Sequence, residues 1–153
     1  MASRKSSKRE CSSPESSAFV ALLSAADRLS LQAEQLIKEY NLTLTQYNVL
    51  RILRGAEPDG LPCMGIGERM ISHDPDMTRL LDRMEKRELI RRERQTDDRR
   101  VIKTRVTAQG LDILKKLDAP VLGLHKSQFR NIGATRLKDL VATLEDIFRP
   151  APE

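Results

Sequence analysis

The chain has 153 residues, with 27 Lys and Arg against 22 Asp and Glu, a net charge of +5 and a pI of about 9.5. That length predicts one domain, and the mixed charge excludes a uniformly basic coat for nucleic acid, so any contact with a polyanion must use local basic clusters. Aromatic residues make up only 3% of the chain and Trp is absent, which argues against capture of single-stranded RNA or DNA by base stacking.

Cysteine content and hydropathy indicate the compartment. The two cysteines, Cys11 and Cys63, are too few for a disulfide framework and fit a reducing environment. No apolar run approaches the roughly 20 residues of a membrane span, and the N-terminus lacks the apolar middle of a signal peptide. We therefore expect a cytoplasmic protein with no membrane partner.

Residues 1–17 are rich in Ser and basic side chains and contain almost nothing to bury, so they predict a disordered tail. The alternative is a basic arm that touches DNA phosphates or a minor groove through its cationic residues, Arg4, Lys5, Lys8 and Arg9.

Three helices are predicted next. An apolar helical pattern runs from Ala18 to Tyr40, and Thr43-Leu44-Thr45-Gln46 has the form of a capping box that starts a second helix ending near Gly55. Pro62 then opens a short helix of about residues 63–70. Two glycines weaken this helix by about 1 kcal/mol each relative to Ala, so packing must hold it in place.

The helix that follows has a distinct start signal and a distinct apolar face. Asp74 is expected to cap it, Pro75 to occupy its first position, and Asp76 to place negative charge at the positive end of the helix dipole. One stripe at i, i+3, i+4 and i+7 is apolar: Met77, Leu80, Leu81 and Met84.

The opposite face of this helix is polar and mostly basic, with Thr78, Arg79, Asp82, Arg83 and Lys86. A buried stripe combined with a basic outer face suits a helix that lies in a groove of DNA. We expect Arg79 and Arg83 to contact base edges, because arginine can donate two hydrogen bonds to guanine in the major groove.

A hairpin is predicted directly after this helix. Residues 90–94 lead into the turn-rich segment 95–98, and residues 102–106 alternate between apolar or hydroxyl and basic side chains, the period of a half-buried strand. Arg99 and Arg100 fall at the tip, where they can reach phosphates or a narrow minor groove, and Asp98 is expected to support the wing. The basic helix and hairpin together predict a winged helix-turn-helix; the alternative is a solvated helix and a charged hairpin on some other domain.

Two helical regions complete the chain. Thr107 caps a long pattern in which Pro120 predicts a kink or break, and a last helix covers about residues 135–148. The first and last helical regions carry more apolar surface than a domain of this size can cover. Large exposed apolar patches usually mark an interface, so we expect a two-fold dimer built from both ends of the chain.

The segment TRLLDRMEKRELIRRERQTDDRRVIKTRVTAQG, which starts at Thr78, resembles the recognition helix and wing of the MarR (multiple-antibiotic-resistance regulator) family of bacterial transcription factors. The matching motifs are D-x-R at Asp98-Arg99-Arg100 and T-x-x-G at Thr107-Ala108-Gln109-Gly110. The resemblance covers about residues 19–148. Glu88 departs from it, because the family usually has Gly there, which readily takes a left-handed cap conformation.

The resemblance implies a mainly α fold with a small β-wing, in a single domain over residues 18–150. In that fold the winged helix-turn-helix takes residues 43–107, and residues 18–42 and 108–149 form dimerisation helices. The implied function is that of a ligand- or signal-responsive repressor in the bacterial cytoplasm, acting as a homodimer on a pseudo-palindromic operator. The family also implies a small aromatic acid ligand in the crevice between the dimer helices and the DNA-binding lobe. The DNA-binding residues that we assign are Pro75, Asp76, Thr78, Arg79, Arg83, Arg99 and Arg100.

Residues for catalysis or metal binding do not form a recognisable set. The two histidines, His73 and His125, fall in different elements, and phosphate-binding and nucleophile motifs are absent. We expect no cofactor and no metal. Cys63 is either a redox-sensing thiol near a helix start or an incidental one. A winged-helix protein that binds another protein or has an architectural role on DNA stays open as the alternative function. We do not expect an enzyme, because the missing nucleophile–base pairs argue against that third hypothesis.

Overall fold

The computed structural model describes residues 13–95 and 100–150. These residues form six helices and one β-hairpin, which confirms the predicted mainly α fold with a small β-wing. The elements in chain order are α1 Pro14–Lys38, α2 Leu44–Gly55, α3 Cys63–Gly67, α4 Met77–Lys86, β1 Ile90–Arg94, β2 Ile102–Val106, α5 Ala108–Gln128 and α6 Ala134–Asp146. None of these helices is both long and apolar enough to cross a membrane.

The first helix begins earlier than predicted. The hydroxyl of Ser13 accepts a hydrogen bond from the amide of Ser16 (3.2 Å), Pro14 occupies the first turn, and Glu15 adds a negative charge there. Disorder through residue 17 is therefore wrong for Pro14–Ser17, because these local start signals operate without any apolar side chain to bury. Residues 1–12 of the predicted tail lie outside the described residues.

The core is built around α2. Its capping box is present as predicted, since the amide of Gln46 donates to Thr43 Oγ1 and the amide of Thr43 donates to Gln46 Oε1, both at 3.1 Å. Val49, Leu50 and Leu53 are completely buried. They share one apolar cluster with side chains of the neighbouring elements, among them Ile37, Ile66, Leu81, Met84, Leu89, Leu114 and Leu117.

The junction between α4, the hairpin and α5 is very close. Thr107 Oγ1 donates to the carbonyl of Glu88 (2.6 Å) and accepts from the amide of Gly110 (3.1 Å). A Cβ at Gly110 would lie 2.4 Å from the carbonyl oxygen of Leu89. The T-x-x-G motif is therefore explained by geometry, because the threonine caps α5 and only glycine lets the backbones approach this closely.

Three sequence-based expectations differ from the structure. The helix α3 ends at Gly67 rather than near residue 70, where its two glycines give little intrinsic support. The helix α5 runs without a break through Pro120, since its apolar face is anchored on both sides of the proline by the buried Leu117 and Val121. In the hairpin, Thr104 and Val106 are buried as the alternation predicted, but Ile102 is 44% exposed.

The helix α4 ends in a Schellman motif that has glutamate where glycine is usual. Leu89 N donates to the carbonyl of Met84 (3.0 Å) and Glu88 N donates to that of Glu85 (2.8 Å), while Glu88 has a φ of 56°. The chain therefore keeps the usual helix ending and accepts a left-handed residue with a Cβ, as the departure at Glu88 indicated.

We expect Glu88→Gly to raise the free energy of unfolding by about 1 kcal/mol, because a left-handed non-glycine residue costs about 1–3 kcal/mol and the added chain entropy of glycine offsets part of the gain. Thermal or denaturant unfolding measures the change. Glu88→Ala is the matched control, since it removes the same carboxylate but keeps the Cβ. An equal gain in Glu88→Ala would show that backbone strain is not the cause.

Candidate nucleic-acid interface

The helix α4 is oriented by its apolar stripe. Leu80, Leu81 and Met84 are buried in the shared core, and Met77 at the start of the stripe is half-buried. The predicted DNA-binding side chains lie on the other side of the helix and are exposed: Thr78, Arg79 and Arg83, together with Lys86. The predicted amphipathic arrangement is confirmed, and it leaves a row of cationic side chains facing solvent.

The start of α4 differs by two residues from the predicted one. Asp76, rather than Asp74, is the N-cap and accepts from the amide of Arg79 (3.3 Å). Asp74 instead accepts from the amide of Asp76 (2.8 Å) and so shapes the turn, in which Pro75 is exposed. Pro75 and Asp76 thus precede the helix, and both are exposed.

Asp76 also holds the side chain of Arg79. The guanidinium Nε lies 3.2 Å from Asp76 Oδ2, yet the Arg79 side chain is 78% exposed. An exposed pair of this kind contributes little to stability. Arg79 therefore projects outward from the first turn of α4. Its Nε contacts Asp76, and most of its side chain is open to solvent.

The helix-turn-helix connection is tied to α2. The amide of Ile71, in the turn before α4, donates to Asn48 Oδ1 (3.1 Å) on α2. Ile66 of α3 is completely buried in the core. These contacts place α3 and its turn against the same core that orients α4.

The hairpin is an antiparallel pair in which Ile90 lies opposite Val106 and Arg94 opposite Ile102. Leu61 extends it, because its amide donates to the carbonyl of Thr104 (3.0 Å) and its carbonyl accepts from the amide of Thr104 (2.7 Å). The middle of β2 is thus fastened to the loop between α2 and α3. Near the far end, Gln95 N donates to the carbonyl of Val101 (3.0 Å).

The predicted wing-tip residues are only partly described. Arg100 is exposed at the far end of the hairpin. Asp98 and Arg99 lie outside the described residues, so their assigned roles as wing support and DNA contact remain predictions.

Sequence reasoning missed the ion pairs that join the hairpin to α4. Arg92 on β1 contacts two carboxylates of that helix, with Nη2 at 2.6 Å from Asp82 Oδ1 and at 2.5 Å from Glu85 Oε2. Its Nε also donates to Glu85 Oε2 (2.8 Å). The hydrogen bonds between Arg92 and Glu85 lower the pKa of Glu85 and raise the pKa of Arg92, so both of these groups are charged near neutral pH. We call these three residues the Arg92 cluster.

A second arginine ties the end of α4 to the rest of the fold. Arg87 Nη2 donates to the carbonyl of Asn41 (2.6 Å), and Nη1 donates to Gln46 Oε1 (3.2 Å), the same oxygen that completes the α2 capping box. Not every basic residue of this segment is therefore available to DNA: Arg87 and Arg92 have structural partners.

The other candidate residues do not come together. Cys63 is half-buried at the first position of α3, and His73 and His125 lie in the turn before α4 and in α5. Over residues 13–95 and 100–150, no group of three or more His, Cys, Asp or Glu side chains could hold a metal ion.

Comparisons with known proteins agree with this geometry. The MarR family model matches residues 42–102. The chain is 30% identical over 112 residues to the HTH-type transcriptional regulator SarZ of Staphylococcus aureus, covering 72% of each protein. A MarR transcription factor of Planctomyces limnophilus is 34% identical, with a TM-score of 0.67 over 89% of this chain and 98% of that one.

A more distant structure shows the same fold with nucleic acid present. A mutant of MarR from E. coli in complex with operator DNA is 18% identical, with a TM-score of 0.77 over 86% of this chain and 93% of that one. Together with the geometry of α4 and the hairpin, these similarities establish that the chain belongs to the MarR family of transcriptional regulators.

Proposed function

We propose that this regulator acts as a homodimeric repressor that binds a pseudo-palindromic operator and is released by a small aromatic acid. The observation that carries the DNA-binding part is the outer face of α4, where Arg79 and Arg83 are exposed beside a hairpin with Arg100 at its far end. Occupation of an operator that overlaps a promoter would exclude the polymerase, which is the simplest route to repression.

The dimer is inferred from the terminal helices. Only Ile37 is buried among the 25 residues of α1, and no residue of α6 is buried. Large apolar side chains of α1, α5, α6 and the segment after α6 are exposed, including Phe19, Val20, Leu23, Leu122, Val141, Ile147 and Phe148. A second copy of the chain would cover this surface and would place two α4 helices on one duplex.

Selection of bound sequences from a random duplex library tests both parts together. A two-fold dimer puts its recognition helices in successive major grooves, so we expect an inverted repeat whose half-site centres are about 10 base pairs apart. Light scattering at micromolar concentration should give the mass of a dimer. An asymmetric single half-site, or a folded monomer, would contradict the dimer; no sequence preference at all would favour the protein-interaction or architectural alternative.

The helix and the hairpin should contribute differently to binding. Arg79→Ala and Arg83→Ala should each relax the preference at particular operator bases by about 1–3 kcal/mol. Arg100→Ala should weaken binding to all sequences alike and reduce the salt slope by about 1, because it removes a phosphate contact.

Affinities for the selected operator and its single-base variants, at several salt concentrations, measure these effects. Arg54→Gln is the control, because Arg54 carries the same charge but lies on α2 instead of α4. Its Nη1 pairs with Asp118 Oδ2 on α5 at 3.0 Å. A change of base preference in the Arg100 variant, with uniform losses in the α4 variants, would reverse the two assignments.

The proposed ligand site is a cavity of about 320 Å³ between α1, α2 and α5. Its walls are mostly apolar, and Arg51, His125 and Gln128 supply polar groups. The Arg51 guanidinium carbon lies 5.9 Å from the centroid of the Tyr47 ring, which places a cation beside an aromatic surface. An aromatic carboxylate would satisfy both features.

The same cavity includes Asn48 and Ile71, whose hydrogen bond ties α2 to the turn before α4. A ligand that displaces this contact would move the helix-turn-helix. We therefore expect salicylate to raise the melting temperature and weaken operator binding, and Arg51→Gln to lose both responses while Arg54→Gln keeps them. Equal responses in the two variants would place the ligand elsewhere.

A further inference from the structure

The Arg92 cluster joins the two elements that are proposed to meet DNA. Glu85 accepts from Arg92 three times: from the backbone amide (3.0 Å), from Nε (2.8 Å) and from Nη2 (2.5 Å). Asp82, one turn earlier on α4, takes a further hydrogen bond from Nη2 (2.6 Å). The forked guanidinium therefore spans two carboxylates that are spaced along the helix axis, and this geometry resists both rotation and sliding of β1 against α4.

The surroundings of the cluster make it stronger than an ordinary surface pair. The Arg92 side chain is 28% exposed, and those of Asp82 and Glu85 are 45% and 37% exposed. Isolated surface pairs contribute little, but several charges in a hydrogen-bonded network with a bidentate arginine are the case in which they do. Two carboxylates around one guanidinium also explain why acidic residues occur in a helix that is otherwise basic on its exposed side.

The other attachments of the hairpin hold β2 and the junction at the end of α4. Leu61 pairs with Thr104 on β2, and Thr107 contacts the carbonyl of Glu88 where the chain leaves α4. Arg92 lies on β1 directly opposite Thr104, so it holds the other edge of the hairpin at the same level and joins that edge to charged side chains of α4. Without this link, β1 would lose its ion pairs to α4 and the hairpin could change its angle to that helix.

We propose that Arg92 is a positioning residue that sets the angle between α4 and the hairpin, so that the helix and the wing reach one duplex together. Asp82 and Glu85 act through Arg92 and not by facing the DNA. This inference rests on the proposed DNA-binding function and adds to it a residue that governs how the two binding elements are combined.

The direction of the change in operator affinity distinguishes this role from a direct contact between Arg92 and DNA. Glu85→Gln makes the protein more positive by one unit, and Arg92→Gln makes it less positive by one unit. If Arg92 simply touched a phosphate, Arg92→Gln would weaken operator binding while Glu85→Gln would strengthen it. If Arg92 positions the hairpin, both variants lose the wing contacts and change in the same direction.

The experiment measures operator affinity of the full chain against salt concentration, well below the melting temperature of each variant. We expect Glu85→Gln and Arg92→Gln each to weaken binding by about tenfold and to reduce the salt slope by about 1. The double variant should be no weaker than Arg92→Gln alone, because the two side chains act as one unit. Asp82→Asn leaves the Arg92–Glu85 contacts in place, so it should weaken operator binding less than Glu85→Gln does. This milder variant tests the positioning role if the other variants unfold.

Two arginines provide controls. Arg91→Gln removes the same charge from the neighbouring position of β1, where Arg91 pairs with Glu93 (3.1 Å) instead of α4, and Arg54→Gln removes an ion pair from α2 and α5. The Arg54 variant should leave the salt slope unchanged even if it lowers the melting temperature, and the Arg91 variant should change affinity less than Glu85→Gln does.

The outcomes separate the two proposals. Tighter binding by Glu85→Gln, or salt slopes equal to wild type in both cluster variants, would overturn the positioning role while wild type still selects its operator. Failure of wild type to prefer the selected duplex over random DNA would instead overturn the proposed function on which this inference rests.

Discussion

Burial of one apolar stripe on α4 is the constraint on which the DNA-facing surface depends. The exposed side of this ten-residue helix is polar and charged, while Leu80, Leu81 and Met84 are sealed in the core. Because residues at i, i+3 and i+4 share a face, burying those three fixes the rotation of α4 about its axis. The exposed positions of Arg79 and Arg83 on the helix follow from that rotation.

Polar contacts at both ends of α4 then locate the helix along its axis. Asp76 caps its start, and Glu88 closes its end in a left-handed conformation that the Schellman hydrogen bonds maintain. Arg87 links this end of the helix to the α2 capping box by donating a hydrogen bond to Gln46. The strain at Glu88 is tolerated because neighbouring contacts, including the hydrogen bond from Thr107 to its carbonyl, determine the path of the chain there.

The patterns that predicted this structure correctly are short-range ones. The α4 stripe, the Thr43–Gln46 capping box and the two strands all depend on residues within one or two turns of each other, so their spacing is visible in the sequence. The predicted start of α4 is two residues too early, because two aspartates flank Pro75 and either could cap the helix. The structure uses Asp76 to cap the helix and Asp74 to shape the turn. The same local capping logic, applied to Ser13-Pro14-Glu15, would have found the true start of α1.

The features that could not be predicted from the sequence depend on contacts between different helices and strands. Glu85 and Arg92 are seven residues apart across a helix end and the start of a strand, where neither helical nor strand periodicity relates them. Arg92 therefore looked like any other solvated charge in a basic hairpin. The cavity beside Arg51 brings together α1, α2 and α5, and its position depends on how three helices pack rather than on any one pattern.

Methylation protection on the selected operator would report which groove α4 occupies. Wild type should protect guanine N7 atoms in the major groove, in two patches one helical turn apart, and Arg79→Ala or Arg83→Ala should expose particular guanines in each patch at saturating protein. Protection confined to the minor groove, or a pattern that neither α4 variant changes, would contradict the assignment of α4 as the element that reads the bases.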